Sequence, residues 1–365
     1  MKRFLLVPLV WLGVTLSAQQ PAAVPEIPFD SVPNFLKVPA DMNFGEGSGV
    51  AVNSKGHVFF FTRANVNGPA FAATAAQLLE FGPDGKLIKE IGRGLYAFSF
   101  AHDVRVDKDD NIWAVDKGSD MVVKFSPEGR VLMVFGRKKE AADEAEPWKR
   151  PTPPLPPING MFRQPTDVTW NAQGDIFISD GYVNSRVAKY DKNGDWVKSF
   201  GEPGSGPGQL NTPHGIAADA NGNIYVANRG NSRIEVFDSN GQYIRQIKIS
   251  LPLPADAKPA IGNTPNPEAG PGTQSPGAPW TVCITPGPNQ VLYTSDAYPG
   301  RIYKMDLNGN ILGVLGKSGK QLKQFGWIHQ IACPSENELY VAEVLNWRVQ
   351  KLLLHPVKSV QTATR

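Results

Sequence analysis

The chain has 365 residues, 41% of them hydrophobic, and a net charge of +3 from 37 basic and 34 acidic side chains. Two of the basic residues, Lys2 and Arg3, stand at the N-terminus, so the rest is near neutral and lacks the clustered positive field that nucleic acid demands. Two cysteines are too few for a disulfide-stapled scaffold, whereas 36 glycines and 32 prolines point to a chain of many turns.

Lys2-Arg3, the apolar stretch Phe4 to Leu16 and the small residues Ser17-Ala18 have the layout of a secretory signal peptide over residues 1–18. The stretch is too short to span a bilayer, and no later run of about 18 apolar residues exists. The expectation is a secreted or periplasmic protein, without membrane attachment after cleavage and without nucleic acid as a partner.

From there one unit is written six times. In its clearest copy an alternating run opens at His102-Asp-Val-Arg-Val, passes an Asp-Asn turn into Ile-Trp-Ala-Val-Asp116, and continues through Met121 to Gly136. Further copies open at Ser48, Thr166, His214, Trp280 and His329. Period-two alternation bounded by Asn-Gly, Asp-Gly and Glu-Gly reads as antiparallel strands joined by tight turns. Four short strands at a period of roughly 40–50 residues is the pattern of propeller blades. The predicted fold is all-β: a single six-bladed β-propeller over 30–355 with four-stranded antiparallel blades, and a tail at 356–365. The sixth copy ends after three strands, so Phe35 to Val38 is expected to supply its outer strand. Residues 64–77, 138–160 and 251–278 exceed the repeat; rich in Pro, Gly or polar residues, they read as loops.

Aligned on their first strands, the copies place Ser48, His102, Thr166, His214, Trp280 and His329 at one position. Three of the chain's five histidines stand there, on blades two, four and six. Alternate blades of a six-fold ring are about 120° apart, so His102, His214 and His329 should meet on the axis. Three imidazoles with an open fourth position suit a catalytic zinc ion. His57 and His355 fall outside the register and read as structural or exposed.

The second strand of each blade returns to the same rim. Just past its end stand Arg63 in blade one, Lys117 in blade two and Arg229 in blade four. In blade three one additional residue pushes Tyr182 out of the loop. Two arginines and a tyrosine are therefore expected beside the metal, where arginine suits a carboxylate.

Phe-Arg-Gln-Pro-Thr-Asp-Val (162–168), Ser-Asp-Gly-Tyr-Val-Asn-Ser-Arg-Val (179–187) and Gly-Ser-Gly-Pro-Gly-Gln-Leu-Asn-Thr-Pro-His (204–214) carry a resemblance to the peptidyl-α-hydroxyglycine α-amidating lyases. The resemblance runs over roughly residues 45–355 and is densest from 162 to 237. It implies a metal-dependent lyase that cleaves the N–C bond of a peptidyl-α-hydroxyglycine, giving a peptide amide and glyoxylate. The implied zinc ligands are His102, His214 and His329, with Tyr182 as catalytic tyrosine and Arg63 and Arg229 as active-site arginines. The implied structural calcium site uses the backbone carbonyls of Val50 and Val104 plus an Asp after the last histidine. Gln330 stands in that Asp's place and removes the only charged ligand, so calcium should bind weakly or not at all. Asn228 replaces an Asp before the second arginine, Trp327 a Met before the last histidine, and Val183 a bridging cysteine.

Cys283 is the third residue after Trp280 and Cys333 the fourth after His329. That offset turns them to opposite sides of their strands, which predicts that they stay unpaired. The expected partner is a small peptide or hydroxyglycine-type substrate, and the expected state a monomer. The competing reading is a non-catalytic secreted propeller that binds a peptide or glycan across its rim.

Overall fold

The computed structural model describes residues 24–64, 76–139 and 150–357. The predicted leader (1–18), parts of two of the predicted loops (65–75 and 140–149) and most of the tail (358–365) lie outside the described residues. Among the described residues no helix is long and apolar enough to cross a membrane.

The described residues form six four-stranded antiparallel sheets, one per sequence repeat. Blade two runs Ala101–Val106, Ile112–Asp116, Met121–Phe125 and Val131–Gly136 from the axis outward. The turns are built as their composition predicts. In blade three the Asp191 carboxylate accepts the backbone N–H groups of Asn193 (2.9 Å) and Asp195 (2.9 Å), while Gly194 takes φ +88°. That combination closes a tight turn that a β-carbon would strain.

Each blade buries both faces against its neighbours. Successive residues of an inner strand point alternately to the preceding and the following blade. Val282 accordingly packs in the core shared with blade four, and Cys283 in the core shared with blade six. The six interblade cores together make the ring.

Two expectations fail here. Cys283 and Cys333 form a disulfide, with Cα atoms 6.1 Å apart. The opposite facing inferred for them is correct, but it favours the bridge. Cys283 faces forward from blade five and Cys333 backward from blade six, so both enter one core. The second failure concerns ring closure. The outer strand of blade six is Phe29–Val32, paired antiparallel with Arg348–Leu354, and not residues 35–38. Phe35 instead lies buried against Tyr340, and Lys37 bridges to Lys86 of blade one.

A repeated device sets the loops of the upper rim. At or just beyond the end of the second strand, a buried acceptor takes backbone N–H groups from the segment entering the same blade. Asp116 accepts from Ser99 (2.8 Å), Asp180 from Arg163 (2.9 Å) and Asn228 from Asn211 (2.8 Å). The residues that follow, Lys117, Tyr182 and Arg229, thus leave anchored positions. Asn228 retains the acceptor oxygen, which is all this anchoring requires.

Candidate metal centre

His102, His214 and His329 converge on the axis, all buried, with their potential ligand atoms within 4.8 Å of one another. Their ring centroids form a near-equilateral triangle of 4.7 Å sides. Each stands where the pairing register of the first two strands shifts: between Ala101 and Asp103, Pro213 and Ile216, and Ile328 and Gln330. A β-bulge re-aims a side chain out of the alternating pattern. Here it turns the imidazoles toward the axis while the next residues resume the ladder.

The Nδ1 atoms are fixed by the other three blades. His102 Nδ1 meets the Thr166 carbonyl at 2.6 Å, His214 Nδ1 that of Trp280 at 2.6 Å, and His329 Nδ1 that of Ser48 at 2.7 Å. A carbonyl can only accept, so Nδ1 carries the proton and Nε2 offers its lone pair inward. All six aligned positions therefore shape the centre: three offer imidazole nitrogens that could hold a metal, and three supply orienting carbonyls. Burial, with nearby cations adding to it, pushes all three rings well below their ordinary pKa and keeps them neutral. The set fits a divalent transition metal.

Around this triangle lie the predicted rim residues. The Tyr182 hydroxyl is 3.2 Å from His102 Nε2 and 3.5 Å from His214 Nε2. Burial would raise its pKa, but Arg229, Lys117 and Arg63 outweigh that and hold it below the usual phenol value. Arg229 lies with Cζ 3.9 Å over the Trp280 ring, and its Nε and Nη1 are buried without a hydrogen-bond partner among the described residues. Arg63 donates from Nε to the Ala101 carbonyl (2.8 Å) and from Nη1 to Glu46 (2.8 Å), with Cζ 4.0 Å over Phe100. Lys117, which the sequence reading placed in register without a role, sets its ammonium 3.6 Å from the Tyr182 ring centre. Trp327 stacks edge-on against Trp280 at 4.9 Å and lines a small cavity together with Pro259, Ile261 and Pro265 of the loop 251–278. His57 pairs with Glu80 (2.7 Å) and His355 with Asp30 (2.8 Å), both away from the centre.

The implied calcium site does not fit. Calcium asks for six to eight oxygens. One residue past the histidine position the axis holds Asp103, Asp167, Thr281 and Gln330, and the Gln330 amide donates to Asp103 at 2.9 Å. The Val50 and Val104 carbonyls named by the resemblance have counterparts at Ile216 and Val282. Those two already accept from the Arg105 guanidinium, at 3.4 and 3.1 Å.

Comparison with known proteins accords with this geometry. An NHL repeat model matches residues 210–237. The mouse peptidyl-glycine alpha-amidating monooxygenase is 29% identical over 228 residues, 56% of this chain and 22% of that protein. Peptidyl-alpha-hydroxyglycine alpha-amidating lyase 1 of Drosophila melanogaster is 27% identical over 288 residues, 74% of this chain and 47% of that protein. Human NHL repeat-containing protein 3 is 30% identical over 45% of this chain and 46% of that protein. The match thus spans about a fifth of the monooxygenase and about half of the shorter relatives. Among solved structures, virginiamycin B lyase from Staphylococcus aureus superposes with a TM-score of 0.56 at 14% identity, covering 90% of this chain and all of that one. That likeness concerns the fold. The chain is an NHL-repeat six-bladed β-propeller homologous to the lyase domains of the peptide α-amidating proteins.

Proposed function

We propose that the protein is a metal-dependent lyase, secreted or periplasmic, that cleaves a peptidyl-α-hydroxyglycine into a peptide amide and glyoxylate. The observation that carries this reading is the neutral three-histidine centre with a phenol against two of its nitrogens. A zinc ion bound there would supply Lewis-acid polarisation of the substrate hydroxyl.

The chain's own residues account for the rest. Tyr182, its acidity increased by three cations, takes the hydroxyl proton as the C–N bond breaks and the C=O of glyoxylate forms. The departing amide nitrogen takes up a proton, so the atoms balance without a further reactant. Arg229, with unpartnered N–H groups, both favours the phenolate and offers donors to the carboxylate. Arg63, braced by Glu46 and Ala101, holds the substrate's carbonyl or carboxylate. The Cys283–Cys333 bridge suits an oxidising compartment.

The test is glyoxylate release from an α-hydroxyglycine peptide by zinc-loaded protein, with Tyr182→Phe as comparison. The variant should keep fold and metal but lose at least about 100-fold in turnover. Arg63→Ala should chiefly raise KM, and Arg229→Ala should lower kcat. Human NHL repeat-containing protein 3, whose name carries no activity, is also similar over part of this chain, and the second reading is a propeller that binds without catalysis. No glyoxylate from loaded wild type, or a fully active Tyr182→Phe, would favour it.

A further inference from the structure

We infer that the axial cation of this propeller is a residue of the chain itself, Arg105, and that the layer beneath the histidines takes no calcium. Arg105 stands on the first strand of blade two, three residues beyond His102, and its side chain is 14% exposed. Its Nε donates to Asp167 Oδ1 at 2.9 Å and its Nη2 to Asp167 Oδ2 at 2.5 Å, the paired geometry in which guanidinium grips carboxylate best. Asp167 is fully buried in blade three. The same Nη2 reaches the carbonyls of Ile216 in blade four and Val282 in blade five. One side chain thus links four blades across the axis.

Neighbours complete the layer. Asp167 Oδ2 also accepts the backbone N–H of Ile216 at 2.8 Å. Gln330 of blade six donates to Asp103 of blade two, and its carbonyl oxygen accepts from Thr281 of blade five. At the remaining two positions a side chain is not tolerated. A β-carbon on Gly49 would lie 2.5 Å from the Val104 nitrogen, and one on Gly215 2.7 Å from the Thr281 α-carbon. The inner strands therefore approach closely around a filled centre. A divalent ion placed here would have to displace the guanidinium, leave Arg105 unpaired in a buried site and break two carbonyl contacts, which is costly.

The neutral amide of Gln330 belongs to the same arrangement. An Asp at 330 would add a negative charge that an ion could balance; an amide instead donates to Asp103 and accepts from Thr281. Arg105 and Gln330 together do what a bound cation and its carboxylate would do.

The experiment uses the full-length protein and reads thermal unfolding and bound metal, independently of lyase activity. After dialysis against a chelator, the wild type should hold no calcium by elemental analysis. Its melting temperature should be the same in millimolar calcium as in chelator. Arg105→Met should melt lower, Arg105→Lys should recover only part of the loss, and neither should respond to calcium. The double variant Arg105→Ala/Gln330→Asp should gain a calcium-dependent rise in melting temperature that the wild type lacks. Should Arg105→Met not fold, the wild-type calcium comparison and the double variant still decide. Calcium retained by the wild type, a wild-type melting temperature raised by calcium, or an Arg105→Met melt equal to the wild type would each overturn the inference.

Discussion

At the scale of single residues, the centre depends on three neutral imidazoles in a buried place. Neutrality has a consequence for the metal-free protein. In the unfolded chain each histidine titrates near 6.5, whereas in the folded protein burial holds all three well lower. As pH falls through about 6.5 the unfolded chain takes up protons first, so this contribution to stability is complete above that value. It drains away as pH descends toward the depressed folded values. The metal-free wild type should therefore lose stability between pH 7 and 5 more steeply than His214→Gln, which removes one of the three groups. Denaturant titrations at several pH values measure both slopes, and equal slopes would show that the imidazoles are not held neutral by the fold. The histidines were legible in the sequence because the residue is rare and its register repeats. Lys117 stood in the same register as Arg63 and Arg229, but registers do not reveal which ring an ammonium will rest on.

At the scale of elements, alternation within strands predicted every blade, yet two features escaped it. The bulges that aim His102, His214 and His329 insert a residue into an otherwise regular ladder, and nothing in side-chain chemistry marks the place. Pairing of Cys283 with Cys333 does not follow from the facing of each strand alone, because the interface between the two blades decides which side chains meet. Two residues of opposite facing on successive blades point into one shared core, and a residue of equal facing points into the next. The bridge closes a loop of 50 residues between inner strands of blades five and six. Replacing both cysteines by alanine should cost about 2–4 kcal/mol, with metal content unchanged because no ligand belongs to that core. Comparing denaturant midpoints of the variant and the oxidised wild type checks this. A midpoint shift of nothing would mean that the seam is held by packing alone.

For the whole molecule the decisive question is how a ring of blades avoids opening. The N-terminal segment straps three blades in turn. Its Pro25 and Ile27 exchange backbone hydrogen bonds with Val314 of blade five (3.0 and 2.8 Å), and Phe29–Val32 completes blade six. Lys37 then bonds to Gly85 and Leu87 of blade one. Ser31 adds a hydroxyl bond to buried Gln350 at 2.7 Å. The need for such a strand followed from the unfinished sixth repeat, but its position did not. Phe29-Asp-Ser-Val and Phe35-Leu-Lys-Val are both short runs of strand-forming residues, and which one pairs is settled by tertiary packing of Phe35 on Tyr340. Removing residues up to 38 should expose the outer edges of three blades at once. Burial of Ile27 and Phe35 contributes roughly 1.5–3 kcal/mol each, so the truncated protein should lose several kcal/mol before any hydrogen bond is counted. Its melt should broaden and become irreversible, since edge strands left unpaired recruit other chains. Deleting a stretch of equal length from the loop 251–278 should do far less, because that loop completes no sheet. Scanning calorimetry of the two deletions separates the outcomes: a truncated chain that melts reversibly at the wild-type temperature would mean the ring closes without its strap.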